Sequence, residues 1–324
     1  MSRSKQTIPD FHIRGLVIEG GGAKGVAYGG CLLALEEFDI LEKITHLAGT
    51  SAGAIVSALL AIGYNAREIS DIMFHLDFRR FKDDDWGVFR DSARLATEFG
   101  WFRGSAFRAW FEERVRRKTG NAQYTFRHLW EDRKKVLVVT GTNLTKMETV
   151  YFSHETYPDM PICLAVRISI SLPFAFASVK MDGHIYVDGG LAQNYPLAAL
   201  AGRKDIHPTE IWGLKLMGQD ETVNTETKVI EYKERKITSF LEFTGAFVDF
   251  LTLSIERQQI LNDPSYFERT IRVDTFDVDT MDFSMDVNTK GKLVQHNYTK
   301  TANFLRELMC KLESSSASPL KSED

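Results

Sequence analysis

The chain has 324 residues and a formal net charge of −4, with 26% charged and 44% hydrophobic residues. A charged share near the globular average of about 25% excludes disorder throughout. The slightly acidic balance excludes a general nucleic-acid binder, which needs a basic footprint for phosphates. Three widely spaced cysteines, Cys31, Cys163 and Cys310, exclude a disulfide framework and any CxxC zinc or redox motif. They fit a reducing compartment, with each thiol acting as a small buried hydrophobe.

In chain order, residues 1–10 are polar and lack the apolar stretch of a secretory signal. Residues 15–19 form a short apolar run that suits a buried strand. They meet Gly20, Gly21, Gly22, Ala23, Lys24 and Gly25, and then a helical stretch over 26–38. A second strand, 44–48, meets Gly49, Thr50, Ser51, Ala52 and Gly53, and then a very apolar helix over 54–62 that Gly63 stops. Two strand–glycine turn–helix units within about fifty residues are the pattern of a parallel α/β sheet. Residues 66–135 are mostly helical in pattern, with Ser105 the expected N-cap of a helix carrying Phe107, Trp110, Phe111 and Val115. Strands are expected over 136–140, 150–152, 184–188, 210–217 and 270–274. An apolar helix should follow Pro161 and end at Pro173. A loop is expected over 218–227, a long helix over 237–261 and a closing helix over 297–312.

The organisation read from this pattern is an extension (1–11), one domain (12–312) and a Ser-rich charged tail (313–324) expected to be disordered. No segment reaches the roughly 18 apolar residues of a membrane span. The longest candidates are 53–63 and 162–177, the latter broken by Arg167 and Pro173. The expectation is a soluble intracellular protein.

Three motifs carry chemistry. Gly49-Thr50-Ser51-Ala52-Gly53 has the GxSxG form of a nucleophile elbow, where small residues let a sharp strand-to-helix turn expose the serine Oγ. The alternative for Ser51 is an ordinary helix N-cap. Residues 20–25 fit G-x-G-x-x-G, but the next strand ends in the serine elbow and not in the acidic residue of a dinucleotide site. A phosphate loop fails too, because Lys24 precedes Gly25 and no Ser or Thr follows. What remains is an oxyanion hole of backbone N–H groups, or a tight turn alone. Asp188, followed by Gly189 and Gly190, ends a strand where an α/β site gathers its groups, unless it only starts an Asx turn. A Ser–Asp–His order would need His207 or His296, and neither has a motif around it. An aspartate acting directly as base on the serine is therefore the simpler reading.

The ordered set of residues 20–25, residues 49–53 and Asp188-Gly189-Gly190 resembles the patatin-like phospholipase family, with its GGGxKG loop, GxSxG elbow and DGG aspartate. Residues 140–144, 153–161, 169–173 and Asn194-Tyr195-Pro196 extend the resemblance, which is strong over about 12–217. It implies an α/β class, a three-layer α/β/α fold with a mostly parallel central sheet, and a Ser–Asp dyad without histidine. Carried over, Ser51 is the nucleophile and Asp188 the general base. Gly20 to Gly25 supply the oxyanion hole, with Lys24 its basic position. The implied activity is a phospholipase A-type lipid acyl hydrolase, needing no metal or cofactor. Its substrate is a phospholipid or other lipid ester, and the implied setting is cytoplasmic with transient membrane-surface contact. No nucleic acid is expected, and no motif fixes an oligomeric state. Competing readings are a triacylglycerol lipase or general carboxylesterase on the same dyad, and a non-catalytic lipid- or nucleotide-binding regulator. Intact Ser51, Asp188 and glycine loop argue against the last.

The aromatic stretch 99–111 and residues 78–86 are read either as core packing or as a lid for acyl chains. The basic cluster Arg114, Arg116, Arg117 and Lys118 is either a solvated helix face or a site for anionic head groups. The helix with Phe240, Phe243, Phe247 and Phe250 is either core or pocket wall.

Overall fold

The first strand, β1 (Gly15–Ile18), is buried at all four positions, as are β2 (His46–Gly49) and the eight residues of β4 (Val136–Asn143). Continuous burial of this kind belongs to strands covered on both faces. The computed structural model describes residues 12–77, 100–102, 104–218, 221–223, 230–232, 234, 237–238, 243, 245–247, 249–252, 254–255 and 269–316. The expected extension over 1–11, residues 78–86, Phe99, Arg103 and Phe240 lie outside the described residues, as do the side chains of Trp101 and Phe102.

Between β2 and β4 lies β3 (Gly100–Phe102), which pairs with β6 (Phe174–Phe176) away from the main sheet. The main sheet also takes β5 (Glu148–Phe152), β7 (Val179–Met181), β8 (His184–Asp188), β9 (Ile211–Met217) and β12 (Thr270–Asp274). A separate hairpin joins β10 (Glu221–Val223) to β11 (Ile230–Tyr232). The main order is β12-β9-β1-β2-β4-β8-β7, with β5 on β4. The first five strands of that order are parallel to one another. β5 and β8 run antiparallel to β4, and β7 antiparallel to β8.

Side chains alternate between the faces with the period of two that a strand imposes. Leu16, Ile18, Leu47, Leu137 and Val139 enter the large core. Val17, Ala48, Val136 and Val138 enter a smaller cluster with Tyr195, Leu197 and Leu200. The large-core face is covered by α1 (Tyr28–Glu37), α2 (Ala52–Ala61), α3 (Ala66–His75), α4 (Ser105–Thr119), α5 (Phe126–Arg133), α6 (Ile162–Ser169) and α9 (Val287–Ser316). The other face carries the thinner layer of α7 (Gly190–Gln193) and α8 (Ala198–Ala201). The fold is the expected three-layer α/β/α arrangement on a mostly parallel sheet.

Several local expectations shift. Gly104, not Ser105, is the N-cap of α4, with φ +74 and no side-chain bond, and Ser105 is the first helical residue. Phe107, Phe111 and Val115 are fully buried, so this face of α4 is core. Arg116 and Arg117 pair with Glu113, and Lys118 pairs with Glu68, so most of the basic cluster is an internally paired helix face. The apolar helix before Pro173 stops at Ser169. The closing helix starts ten residues before 297 and carries residues 313–316, the beginning of the expected tail. Asp286 explains the early start, because its Oδ1 accepts from the N–H groups of Asn288 and Thr289. Burial pushes the Cys31 thiol up to about 12 and the Cys163 thiol up to about 11, in line with inert packing. Cys310 departs from that expectation and is exposed on α9.

Candidate active site

Ser51 sits between β2 and α2 with φ 51 and ψ −121. Non-glycine residues rarely adopt that backbone, and it persists only where the surroundings over-determine it. They do so here. A Cβ on Gly49 would stand 2.4 Å from Gly53 O, and one on Gly53 would stand 2.2 Å from Ile18 O. The Ser51 N–H donates to Ser169 Oγ at the end of α6, at 2.9 Å. Ser51 occupies the N-cap position of α2 but makes no side-chain capping bond.

Asp188 lines the same cavity as Ser51. The carboxylate ends β8 and is 2% exposed. Its Oδ1 accepts the Gly190 N–H at 2.7 Å, and the Ser51 side chain is near enough to favour its charged form. The Asx-turn reading and the dyad reading of Asp188 thus describe the same side chain. Its own N–H donates to Ser171 O at 2.9 Å, and Thr142 Oγ1 donates to its carbonyl at 2.9 Å. Burial pushes the carboxyl up to about 7, against the opposing pull of the Gly190 hydrogen bond and the Ser51 side chain. A carboxylate near neutral in affinity for protons is suited to taking one from a hydroxyl.

The glycine loop lies opposite. The Gly20 N–H donates to Asn194 O at 3.1 Å, and Asn194 Nδ2 donates back to Gly20 O at 3.1 Å. The Ala23 N–H donates to Thr280 O and the Lys24 N–H to Gly21 O. The N–H groups of Gly21 and Gly22 have no acceptor among the described residues. Gly22 needs to be glycine, since its φ is +54 and a Cβ would meet Thr280 O at 2.3 Å. A cavity of about 60 Å³ opens between these parts, bordered by Gly20, Gly21, Gly22, Ser51, Asp188 and Asn194. Its apolar wall is Ile170, Leu172, Phe176, Met281 and Phe283. Ala23, Lys24 and Gly25 follow in the 3₁₀ helix Gly22–Ala27 and stand back from the cavity, Lys24 half-buried.

No described histidine lines this cavity. His207 caps the turn before β9, His296 bonds Asp274 at 2.6 Å, and His46 bonds Asp205 at 3.1 Å. Among the described residues, no group of His, Cys, Asp or Glu is placed to hold a metal ion.

The sequence model described as Patatin-like phospholipase matches residues 16–201. The chain belongs to the patatin-like phospholipase family. The matched span of this patatin-like chain holds the glycine loop, Ser51 and Asp188. An uncharacterized protein of Acanthamoeba polyphaga mimivirus is 28% identical over 292 residues, 89% of this chain and 92% of that one. A probable lipid hydrolase of Invertebrate iridescent virus 6 is 31% identical over 182 residues, 56% of this chain and 61% of its own length. Among solved structures, VipD from Legionella pneumophila superposes with a TM-score of 0.62 at 20% identity, covering 91% of this chain and 67% of that one. At that identity the likeness concerns the fold. By family, this patatin-like protein is a lipid hydrolase.

Two features of its site escape sequence reading. Thr280, Met281 and Phe283 line the cavity from beyond the matched span, in a loop without periodicity. A buried ion pair supports the glycine loop: Lys215 Nζ stands 3.1 Å from Glu19 Oε1, and Glu19 Oε2 accepts the Leu216 N–H at 2.8 Å. Asn194 Nδ2 also reaches Glu19 Oε1, at 3.3 Å. A lysine flanked by leucines in a central strand was the available signal for that pair, because a buried lysine needs a partner.

Proposed function

We propose that the protein is a serine lipid acyl hydrolase of phospholipase A type, cleaving carboxylic ester bonds of membrane glycerophospholipids. The observation that carries this reading is Ser51, on its strained turn, lining one cavity with the buried Asp188 carboxylate and the glycine loop. Ser51 Oγ attacks the acyl carbonyl while its proton passes to an Asp188 oxygen. The carbonyl oxygen becomes an oxyanion facing the N–H groups of Gly21 and Gly22, which have no acceptor among the described residues. Collapse of the tetrahedral species breaks the ester bond, and the proton on Asp188 goes to the departing alkoxide. Water then attacks the acyl-enzyme as Asp188 takes its proton, and Ser51 leaves with that proton restored. The apolar wall of Ile170, Leu172 and Phe176 suits an acyl chain.

Peripheral membrane contact has support in a neighbouring surface. Phe243, Phe247 and Phe250 are exposed helical residues at spacings of four and three, and the nearby Asp249 and Thr252 line the cavity. An exposed aromatic face beside an active-site mouth suits entry into a lipid surface. No helix among the described residues is long and apolar enough to cross a membrane.

The test is mass spectrometry of phospholipid vesicles after incubation with the wild type and with Ser51→Ala, beside labelling by a fluorophosphonate. Fatty acid release and labelling by the wild type alone are expected. Release by a folded Ser51→Ala at the wild-type rate overturns the assignment.

A further inference from the structure

Behind the catalytic cavity lies a second, smaller one of about 10 Å³. That is roughly the space of one water, and its walls are mostly apolar: Val26, Met73, Leu76 and Met285. Lys290 and Asp282 also border it; the Lys290 ammonium donates to Phe74 O at 2.8 Å at the end of α3, and Asp282 Oδ1 accepts from the Ser284 N–H and hydroxyl. Gly22 and Phe283 line both cavities, and of these two only Phe283 has a side chain. The Phe283 ring therefore stands as the side-chain partition between the reacting end of the site and an apolar space beyond.

The partition is placed with respect to the chemistry. The loop that carries it has no regular structure, yet it is tied at several points. Thr280 O accepts the Ala23 N–H at 3.0 Å, which fixes the loop to the glycine turn. The Met281 N–H donates to Asp279 Oδ1 at 2.8 Å, the Phe283 N–H to Met281 O at 2.8 Å, and the Ser284 N–H to Asp282 Oδ1 at 3.1 Å. The backbone at Phe283 is held, so its ring, with the backbone of Gly22, stands between the two spaces.

We propose that Phe283 sets the length of acyl chain the site accepts, by closing the catalytic pocket off from the apolar cavity behind it. The proposal rests on the reading of the site as an acyl hydrolase, and adds a specificity-determining residue from outside the span that defines the family. A chain lying along Ile170, Leu172 and Met281 ends against the ring. Removing the ring joins the two spaces and lets further methylenes be buried. Each buried methylene is worth about 0.8 kcal/mol, or roughly fourfold in kcat/KM. Two or three of them make a change of roughly 15- to 60-fold.

The experiment measures kcat/KM for p-nitrophenyl esters from butyrate to palmitate. The proteins are the wild type, Phe283→Ala, Phe283→Trp, and Phe283→Ala combined with Leu76→Phe, which refills the rear cavity. Labelling rates by alkyl fluorophosphonates of matching lengths run beside it. The ratio of long-chain to short-chain kcat/KM should rise at least about tenfold in Phe283→Ala. It should fall in Phe283→Trp and return toward the wild-type ratio in the double variant. An unchanged ratio in a folded, fluorophosphonate-reactive Phe283→Ala overturns the proposal, and so does an equal loss at every chain length. If Phe283→Ala does not fold, Phe283→Trp decides, with an unchanged ratio counting against. A wild type that neither labels nor hydrolyses any ester refutes the hydrolase reading itself, an outcome distinct from an unchanged ratio.

Discussion

Replacing Asp188 with Asn removes the proposed base and also relieves the fold of a charge it holds at a cost. The carboxyl titrates near 7 in the native protein, against about 3.9 in an unfolded chain. The native state therefore holds the proton more tightly, and its advantage from this group is complete below about pH 4. That advantage is lost as pH rises to about 7, at up to 1.36 kcal/mol per pH unit. Three units amount to about 4 kcal/mol. Asn carries no charge at either pH, and all other titrating groups are common to both proteins. The unfolding free energy of Asp188→Asn minus that of wild type should thus grow by about 4 kcal/mol between pH 4 and pH 8. A constant offset for the amide, about 1–3 kcal/mol, leaves that growth untouched. Urea unfolding of both proteins at five pH values reads the difference directly. A difference that stays flat within about 1 kcal/mol over that range refutes the picture of a carboxylate buried and strained toward its neutral form.

Other outcomes follow from the same structure. In the proposed mechanism Asp188 must be ionised to accept a proton, so kcat/KM on a soluble ester should climb with pH and level off above about 7, and alanine at His207 or His296 should leave that profile in place. Lys215→Met strands the buried Glu19 carboxylate and should cost about 3–5 kcal/mol, seen as a large drop in Tm. Retention of the wild-type Tm would remove the ion pair from the account of the glycine loop. Asp at Phe247 and Phe250 together should weaken binding to phospholipid vesicles while a soluble short-chain ester is still turned over, and equal loss on both would indicate packing.

The parts of the site legible in the sequence are those where geometry dictates residue type. The turn at Ser51 admits only small neighbours because backbone atoms lie within van der Waals reach, so Gly49 and Gly53 announce it. Asp188 was visible because a strand ends on it and two glycines follow. The Glu19–Lys215 pair was not, since its members lie 196 residues apart and each alone reads as an odd charge in an apolar run. The early start of α9 was hidden by Gly291 and the polar residues around it, although Asp286 stood in place as a cap. The Phe283 loop is built from Asx turns and backbone bonds, which leave no hydrophobic period to read.

The pairing of α1 with α9 bears on how such an enzyme is made. Tyr298 of α9 hydrogen-bonds Glu37 at the end of α1 across 261 residues of chain. At about 5–20 residues per second of synthesis, roughly 13–50 s separate their appearance. Through that interval α1 lacks its cover, and for the earlier part of it β1 lacks β9 (Ile211–Met217), the neighbour that brings Lys215 to Glu19. Ser51 and Asp188 are both translated well before the cavity wall at Met281 and Phe283. A nascent chain thus carries its proposed nucleophile and base for some time before it has the full wall of the pocket, and the cavity is completed only once the loop with Met281 and Phe283 has been made.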